Sequence, residues 1–434
     1  GIASAPPLHT LQPRFHGAPM SSLLASIKSL PPMAVRLVIM RFAIYLGVQS
    51  AYFIGIVGTL TFTMGRGVGD NVLGIAALNS CMVAGSFIGG PILDRIGPRR
   101  HFRLVIAGLV ASAAAFQVLA QSVAGVLVGA AIFGLAWGMG DLVAKAYPAY
   151  LSDDTTFLKD LNSTVFTVSN VAIVIGPLVG GTLASLFSTK AVFIFMGICS
   201  LVALAPGLGF DALRTPDIPK TERGGGITQG FSVVFGTEAL SLLFWSCFFS
   251  FLGYGAFDPI ESLYYRDVLH VGIEWMGYLS SAAGIGGIIG SLLVLRIPSR
   301  QVNMRALFGV LFGEGLGVLI YVSTDILAVA ITGQILSGVA FGMMMPLLNT
   351  LVQAHAPLDV LGRVNSVMSF GYNIAGVVPL VLAPALAKMF GVQGTLVGAS
   401  LLVCSMPIII SIARRSAIAE LVDQERASGI SVED

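Results

Sequence analysis

Charged residues are scarce in this sequence. Asp, Glu, Lys and Arg make up 11% of the 434 residues, whereas hydrophobic residues make up 55%. A typical soluble domain is about one quarter charged, so this composition excludes an ordinary soluble protein. Lipid is the solvent that suits the chain, because each helical span needs about 20 mainly apolar residues. The length accommodates a dozen such spans with short connections and two modest tails.

Cysteine and histidine are also few, and the net charge is small. The four cysteines lie in separate apolar runs, so neither a metal site nor a disulfide framework is predicted. The formal net charge of +2 comes with no single basic patch, which argues against nucleic acid as a partner. The five histidines form no convergent catalytic set, and no nucleotide-binding domain is present. We therefore predict neither an enzyme nor an ATP-driven pump, and no cofactor.

Apolar runs of spanning length recur along the chain. They predict an all-α polytopic membrane protein with twelve transmembrane helices. The predicted spans are 35–63, 72–93, 102–121, 125–150, 161–187, 190–210, 238–263, 274–296, 304–323, 326–353, 365–388 and 391–413.

The connections between these runs are short, with one exception. Residues 211–235 are charged and rich in Pro and Gly, which predicts a linker. The predicted organisation is an N-terminal tail (1–34), a six-helix bundle (35–210), a cytoplasmic linker, a second six-helix bundle (236–413) and a C-terminal tail (414–434).

The two predicted bundles repeat short motifs at corresponding places. Each half has six spans, and because six is an even number the two halves have the same orientation in the membrane. Parallel repeats of this kind place a substrate site between the halves, near the bilayer midplane. The matches at a constant spacing are Leu73-Gly74 with Met276-Gly277, Asn162-Ser163 with Asn365-Ser366, and Asn170 with Asn373.

The basic residues predict the orientation in the membrane. Loops on the cytoplasmic side of a membrane protein carry an excess of Lys and Arg. If both termini are cytoplasmic, the only Lys and Arg residues on the outer side of the membrane are Arg66, Lys190, Arg266 and Lys388. Lys145 lies within a span, and the other basic residues are cytoplasmic. We therefore expect a multi-pass cell membrane protein with both termini in the cytoplasm.

The loop after the second span reads Gly90-Pro-Ile-Leu-Asp94-Arg95-Ile-Gly97-Pro-Arg99-Arg100. It resembles the signature loop of the major facilitator superfamily, Gly-x-x-x-Asp-Arg-x-Gly followed by basic residues, and it lies on the predicted cytoplasmic side. The resemblance implies the major facilitator fold of two six-helix bundles, and a latch that closes the cytoplasmic side. The alternative is an anchor of positive charge alone, which explains the arginines but not the aspartate. The latch residues are Gly90, Asp94, Arg95, Gly97, Arg99 and Arg100.

The partners of this latch are also implied by the resemblance. In the family, the carboxylate corresponding to Asp94 lies by the N-terminus of span eleven, where the positive end of the helix dipole favours it. We expect Arg95 to reach Asp153 at the end of span four. Both contacts are expected when the cytoplasmic side is closed.

Span five carries Gly176-Pro177-Leu-Val-Gly180-Gly181. This run resembles the end of the motif associated with proton-coupled exporters in the superfamily. A proline bends a helix, and glycines let it press against a neighbour. Close helix packing alone is the alternative interpretation. The expected partner is span eight, with Gly284, Gly286, Gly287 and Gly290.

Further motifs are Tyr147-Pro148-Ala-Tyr150-Leu-Ser-Asp153, Gly362-Arg363-Val364-Asn365-Ser366 and Leu263-Tyr264-Tyr265-Arg266-Asp267. Together they narrow the resemblance to drug:proton antiporters of the macrolide-efflux and enterobactin-exporter type. It implies proton-coupled export of hydrophobic or amphipathic compounds by alternating access. A dedicated transporter of one metabolite, siderophore or lipid is the alternative. The expected partners are a small-molecule substrate, protons and the lipid bilayer, and a monomer is expected.

Span one departs from the pattern of these antiporters. They often have an acidic residue in this span, where this chain has Gln49.

Charged residues within spans are candidates for proton coupling, because burying a charge in a membrane is costly. Asp141 lies in span four, roughly 13 Å deep at about 1.5 Å per residue, and Lys145 follows one turn later on the same face. This pair is either a structural ion pair or a proton-responsive site. Asp258 and Glu261 flank Pro259 late in span seven. They are either an acidic pair that shares a proton or attracts cations, or ordinary hydrated residues at the outer opening of the transporter. Glu314, in span nine, has no predicted role.

Polar and soft side chains on the expected cavity helices are candidates for substrate contact. Flexible or aromatic side chains suit varied ligands. Ordinary packing in the core or against lipid is the alternative for most of them. The candidates are Gln49, Trp137, Tyr254, Met344 and Asn349.

Overall fold

The computed structural model describes residues 30–152, 154–210, 226–294, 296–298, 301–356 and 360–427. This part of the chain is helical, and no strand occurs in it. It contains 10 helical segments that are long and apolar enough to cross a membrane. Two of them are 52 and 53 residues long, and each holds two spans. The described chain therefore has twelve spans.

The spans, numbered one to twelve in chain order, lie close to their predicted positions. Spans two and three share one helix broken at Gly97, and spans eleven and twelve share another broken at Gly391. The ten segments are Pro32–Thr63, Val68–Leu119, Val123–Lys145, Thr155–Leu186, Thr189–Leu208, Glu238–Asp267, Glu274–Val294, Met304–Val322, Leu327–His355 and Leu361–Ala413.

The two breaks depend on glycine. Gly97 has φ 75° and Gly391 has φ 74°, which is the left-handed region that only glycine enters without steric cost. Both lie where the chain must reverse between antiparallel spans. We call the end of the bundle that holds Pro32 and Gly97 the terminal end, and the end that holds Gly391 the far end.

Three spans are not regular α-helices throughout. Span one changes to π-helix over Tyr52–Val57 and again over Thr59–Thr63. Span four is interrupted at Asp141, and span seven between Tyr254 and Phe257. Such π-helical segments frequently occur at functional sites, and those of span one and the break in span seven adjoin the central cavity.

The helix packing joins the two halves mainly through three contacts. Span five packs along span eight, and the helix of spans two and three touches both the second part of span seven and the helix of spans eleven and twelve. The larger apolar core runs through the first six spans and continues at the far end into the last six spans. A second, smaller core lies at the terminal end of the last six spans.

Two shorter helices lie at the terminal end. Helix Gly226–Gly236 begins within the predicted linker and extends one residue beyond it, and it packs against the start of span eleven; residues 211–225 lie outside the described residues. Helix Arg415–Ala427 packs against span nine. Its Glu425 accepts hydrogen bonds from the Met304 backbone N–H at 3.1 Å and from His355 Nε2 at 2.8 Å. This helix of the predicted C-terminal tail is therefore tied to the bundle.

Candidate functional site

A cavity of about 440 Å³ lies between the two halves. Spans one, five, seven, eight, nine, ten and eleven contribute to its wall, and span seven contributes the largest share. The lining residues are Gln49, Tyr52, Phe53, Pro177, Phe251, Tyr254, Gly255, Phe257, Asp258, Glu261, Tyr265, Ser280, Ala283, Val318, Tyr321, Gln334, Ser337 and Gly376.

Two carboxylates from span seven face this cavity. Glu261 Oε1 accepts hydrogen bonds from the Tyr321 hydroxyl at 2.7 Å and from Gln334 Nε2 at 3.2 Å. Asp258 lies about one helical turn earlier, and its side chain is exposed to the cavity. The structure thus brings the predicted acidic pair together at the wall of the cavity, with Glu261 held by spans nine and ten.

The rest of the wall is rich in aromatic side chains and carries no basic group. Seven of the lining side chains are Phe or Tyr, and no Lys, Arg or His is among them. The faces of aromatic rings attract cations, and carboxylates do so more strongly. The wall is therefore suited to a ligand that is both apolar and positively charged. The described residues include no group of His, Cys, Asp and Glu placed to hold a metal ion.

The predicted cavity residues are distributed unevenly. Gln49 and Tyr254 line the cavity. Trp137 stands behind Tyr52, with ring centroids 5.2 Å apart, and so supports the wall rather than forming it. Met344 is buried in the smaller apolar core, and Asn349 is exposed, because span ten places their positions nearer the terminal end than the cavity.

The far end of the cavity is closed by a buried polar cluster. The Thr61 and Ser262 hydroxyls lie 2.7 Å apart, so spans one and seven are joined directly. Asn71 of span two donates to Ser262 Oγ at 3.1 Å and to the Pro259 carbonyl at 2.9 Å. Arg266 donates to the Thr61 carbonyl at 2.8 Å. This cluster involves Pro259 and Ser262, which immediately follow Asp258 and Glu261.

Asp141 belongs to a separate group of charges. Its carboxylate lies 2.6 Å from Lys145 Nζ and 3.4 Å from an Arg41 guanidinium nitrogen. The Arg41 side chain is 7% exposed and that of Lys145 is 73% exposed. Arg41 also donates to Ser169 Oγ at 2.9 Å and lies over the Tyr45 ring. The buried partner of Asp141 is thus Arg41 of span one, a residue that belongs to none of the predicted motifs.

The latch loop lies exposed at the terminal end. Gly97 forms its turn, and Asp94, Arg95, Arg99 and Arg100 have exposed side chains. Asp94 hydrogen-bonds the Tyr150 hydroxyl, just beyond span four; burial, the Asp94 charge and this hydrogen bond raise the pKa of Tyr150.

The predicted latch contacts stay predictions. Asp153, the expected partner of Arg95, lies outside the described residues. Asp94 was expected beside span eleven only in a conformation closed at the terminal end. In this structure its partner belongs to the same half of the chain.

The glycine motif of span five packs against two spans. A Cβ on Gly176 would lie 2.7 Å from the Gln49 Cβ, and one on Gly181 would lie 2.7 Å from the Glu274 carbonyl oxygen. The backbone of span five therefore presses against spans one and eight beside the cavity, where Pro177 lines the wall.

The glycines of span eight divide between two neighbours. Gly284 faces Val174 of span five, as expected. Gly286 and Gly290 instead face the backbone of span ten. The small residues of this helix thus allow two close contacts on different faces.

Comparison with known proteins agrees with this architecture. The profile of the Major Facilitator Superfamily matches residues 37–379. The multidrug efflux pump Tap of Mycolicibacterium fortuitum is 25% identical over 358 residues, which cover 78% of this chain and 85% of the pump. Multidrug resistance protein D of Escherichia coli is 25% identical over 181 residues, covering 42% of this chain and 44% of that protein.

A solved structure has the same fold. The crystal structure of the nucleoside transporter NupG superposes with a TM-score of 0.65 at 12% identity, over 88% of this chain and 98% of that one. The superposition confirms the predicted fold of a polytopic helical membrane transporter. The family match, over residues 37–379, extends over most of the twelve spans. The chain belongs to the Major Facilitator Superfamily and is a membrane transporter of small molecules, not an enzyme.

Proposed function

We propose that this transporter exports amphipathic organic cations in exchange for protons, by alternating access. The observation that carries the proposal is the cavity wall, where Asp258 and Glu261 stand among aromatic side chains and no basic group. A carboxylate stabilises a bound cation directly, and each well-placed ring adds about 0.5–2 kcal/mol. Compounds of this class also bury apolar surface in such a cavity.

The same two carboxylates supply a means of coupling. An ionised pair attracts a cation, whereas a protonated pair does not, so substrate and protons compete for one site. Since Asp258 and Glu261 are about one turn apart, their negative charges repel each other, and either a proton or a substrate cation relieves this repulsion. Binding of one therefore favours release of the other.

Alternating access requires the two ends to open in turn. The cluster of Thr61, Asn71 and Ser262 holds the far end closed, while Asp94 and Arg95 are exposed at the terminal end. We interpret this as the conformation that receives substrate at the terminal end. With both termini cytoplasmic, as the basic residues predict, this conformation faces the cytoplasm of a cell that exports the substrate across its plasma or inner membrane.

The relatives support export of varied compounds. Tap of Mycolicibacterium fortuitum and multidrug resistance protein D of Escherichia coli are named for drug efflux or resistance, and Tap matches most of this chain. The glycine motif of span five adds to this, because it resembles a motif associated with proton-coupled exporters.

Uptake of ethidium into inverted membrane vesicles tests the proposal. Ethidium is a permanent cation, so a proton gradient cannot trap it by protonation as it traps a weak base. An acidic vesicle interior should drive ethidium accumulation only when the transporter is present, and an uncoupler should abolish it. Accumulation that ignores the pH gradient would contradict proton coupling, and the absence of any transport would contradict the substrate class.

A further inference from the structure

Glu314 is a buried carboxylic acid behind the wall of the cavity. It lies in the middle of span nine and its side chain has no exposed surface. The Ser250 hydroxyl donates to its Oε2 at 3.3 Å, and Oε1 has no hydrogen-bond partner among the described residues. No described Lys, Arg or His forms an ion pair with it. Burying an ionised carboxylate without a cation is costly, especially within a membrane.

The surroundings of Glu314 contain few ionisable groups. Span seven presents Cys247 and Tyr254 toward it. Span twelve presents Cys404, which packs against the neighbouring Gly315, and span ten presents the uncharged Ser337 beside Gly317. None of these groups is a cation at neutral pH. A proton is therefore the available means of neutralising this carboxylate.

Tyr254 stands between Glu314 and the cavity. Its ring lines the cavity, and its hydroxyl faces both the Glu314 carboxylate and Ser337 Oγ, the latter at 3.4 Å. Ser337 also lines the cavity. A tyrosine hydroxyl has one proton to donate, so it can donate toward Glu314 or toward Ser337, but not toward both.

We propose that Glu314 is a proton-binding site, connected to the central cavity through the hydroxyl of Tyr254. When Glu314 is ionised, Tyr254 donates toward it and offers its oxygen to the cavity as an acceptor. A proton from cavity water binds the Tyr254 oxygen while the original hydroxyl proton passes to Glu314, so one proton enters and one is bound. Neutral Glu314 then donates to Tyr254, which turns its own proton toward Ser337.

This inference deepens the proposed function and rests on it. The proton on Glu314 changes a cavity-lining hydroxyl from an acceptor to a donor, so the cavity has two hydrogen-bonding states. Proton binding behind the wall can thereby alter how the wall holds a substrate, without Glu314 touching the substrate.

Infrared spectroscopy of the purified full-length protein during a pH titration tests this site. A buried, protonated carboxylic acid has a carbonyl stretching band separate from the amide bands. We expect a band that appears on acidification, is absent in Glu314→Gln and is shifted in frequency in Tyr254→Phe. Glu238→Gln, which changes an exposed glutamate at the start of span seven, should leave it unchanged.

Several outcomes would overturn the proposal. A spectrum unaffected by Glu314→Gln would show that Glu314 does not titrate, and a Glu314 band present at every pH would mark a permanently neutral acid. A band with the same frequency in Tyr254→Phe would contradict the proposed connection between Glu314 and the cavity through the Tyr254 hydroxyl. The band should persist in Asp258→Asn/Glu261→Gln, and its persistence would show that it does not come from the two cavity carboxylates. Because no substrate is added, failure of ethidium transport leaves this measurement interpretable.

Discussion

The Tyr321 hydroxyl of span nine donates a 2.7 Å hydrogen bond to the Glu261 carboxylate of span seven. This contact fixes one cavity carboxylate from a neighbouring helix. Hydrogen bonds to charged groups contribute about 1.5–3 kcal/mol. The position of Glu261 therefore depends on a residue far away in the sequence.

Tyr321→Phe should weaken ethidium binding about tenfold, since about 1.4 kcal/mol corresponds to that factor. The reason is that Glu261 loses the bond from Tyr321 and keeps the longer bond from Gln334 and one from Tyr265. Binding is measured by fluorescence titration of the purified protein. Tyr278→Phe is the matched control, because Tyr278 packs on Trp275 and is not among the lining residues of the cavity. Equal affinities for the two variants would contradict the role given to Tyr321.

A cross-link between Thr61→Cys and Ser262→Cys should lock the far end closed. The two hydroxyl oxygens lie 2.7 Å apart, so two sulfur atoms at these positions can approach the roughly 2.05 Å of a disulfide. The four native cysteines are first replaced. An oxidant should stop ethidium transport and a reductant should restore it. Each single variant should be insensitive to the oxidant. Full transport by the cross-linked protein would show that this end need not open.

Asp141→Asn should lower stability more than Lys145→Ala. The first change leaves the buried Arg41 without its counter-charge, whereas Lys145 is 73% exposed. Removing a partner from a fully buried pair costs about 3–5 kcal/mol, and partial exposure of Asp141 reduces this to about 2. An exposed pair contributes below about 1 kcal/mol. Thermal unfolding in detergent measures the difference. The reverse order would show that Lys145, not Arg41, is the principal partner.

Gly176→Ala should destabilise the protein and Gly309→Ala should not. Replacing glycine in a helix by alanine is otherwise favourable by roughly 0.5–1 kcal/mol. A Cβ at Gly176 meets Gln49 at 2.7 Å, whereas one at Gly309 meets nothing within 4 Å. The melting temperature should therefore fall for the first variant and stay or rise for the second. Similar melting temperatures would mean that spans one and five separate easily.

The positions of the twelve spans could be predicted because a helix that crosses lipid is apolar along its whole length, and hydropathy detects this. The breaks inside the helices could not be predicted in this way. Asp141 interrupts span four, and the helix breaks again after Tyr254 in span seven. Neither site is a long polar stretch, so composition over a window of about 20 residues does not detect it.

The sequence also did not indicate which way the polar side chains face. Arg41 lies near the end of an apolar run, where a basic residue is ordinarily an anchor at the membrane surface, yet it is buried against Asp141. Glu314 had no predicted role, because its helix is apolar on every side and has no polar face to orient it. Asp258 and Glu261 were found from their position within a span, but their partners Tyr321 and Gln334 come from distant helices.

Counting protons against ethidium in proteoliposomes tests the central claim, that Asp258 and Glu261 exchange protons for substrate. Ethidium uptake and the pH of the interior are followed together after an acidic interior is imposed. We expect coupled uptake in the wild type, its loss in Asp258→Asn/Glu261→Gln, and its retention in Asp267→Asn, which changes an exposed carboxylate of the same span. Coupled uptake by the double variant, together with its loss in folded Asp141→Asn, would contradict the account and assign coupling to span four.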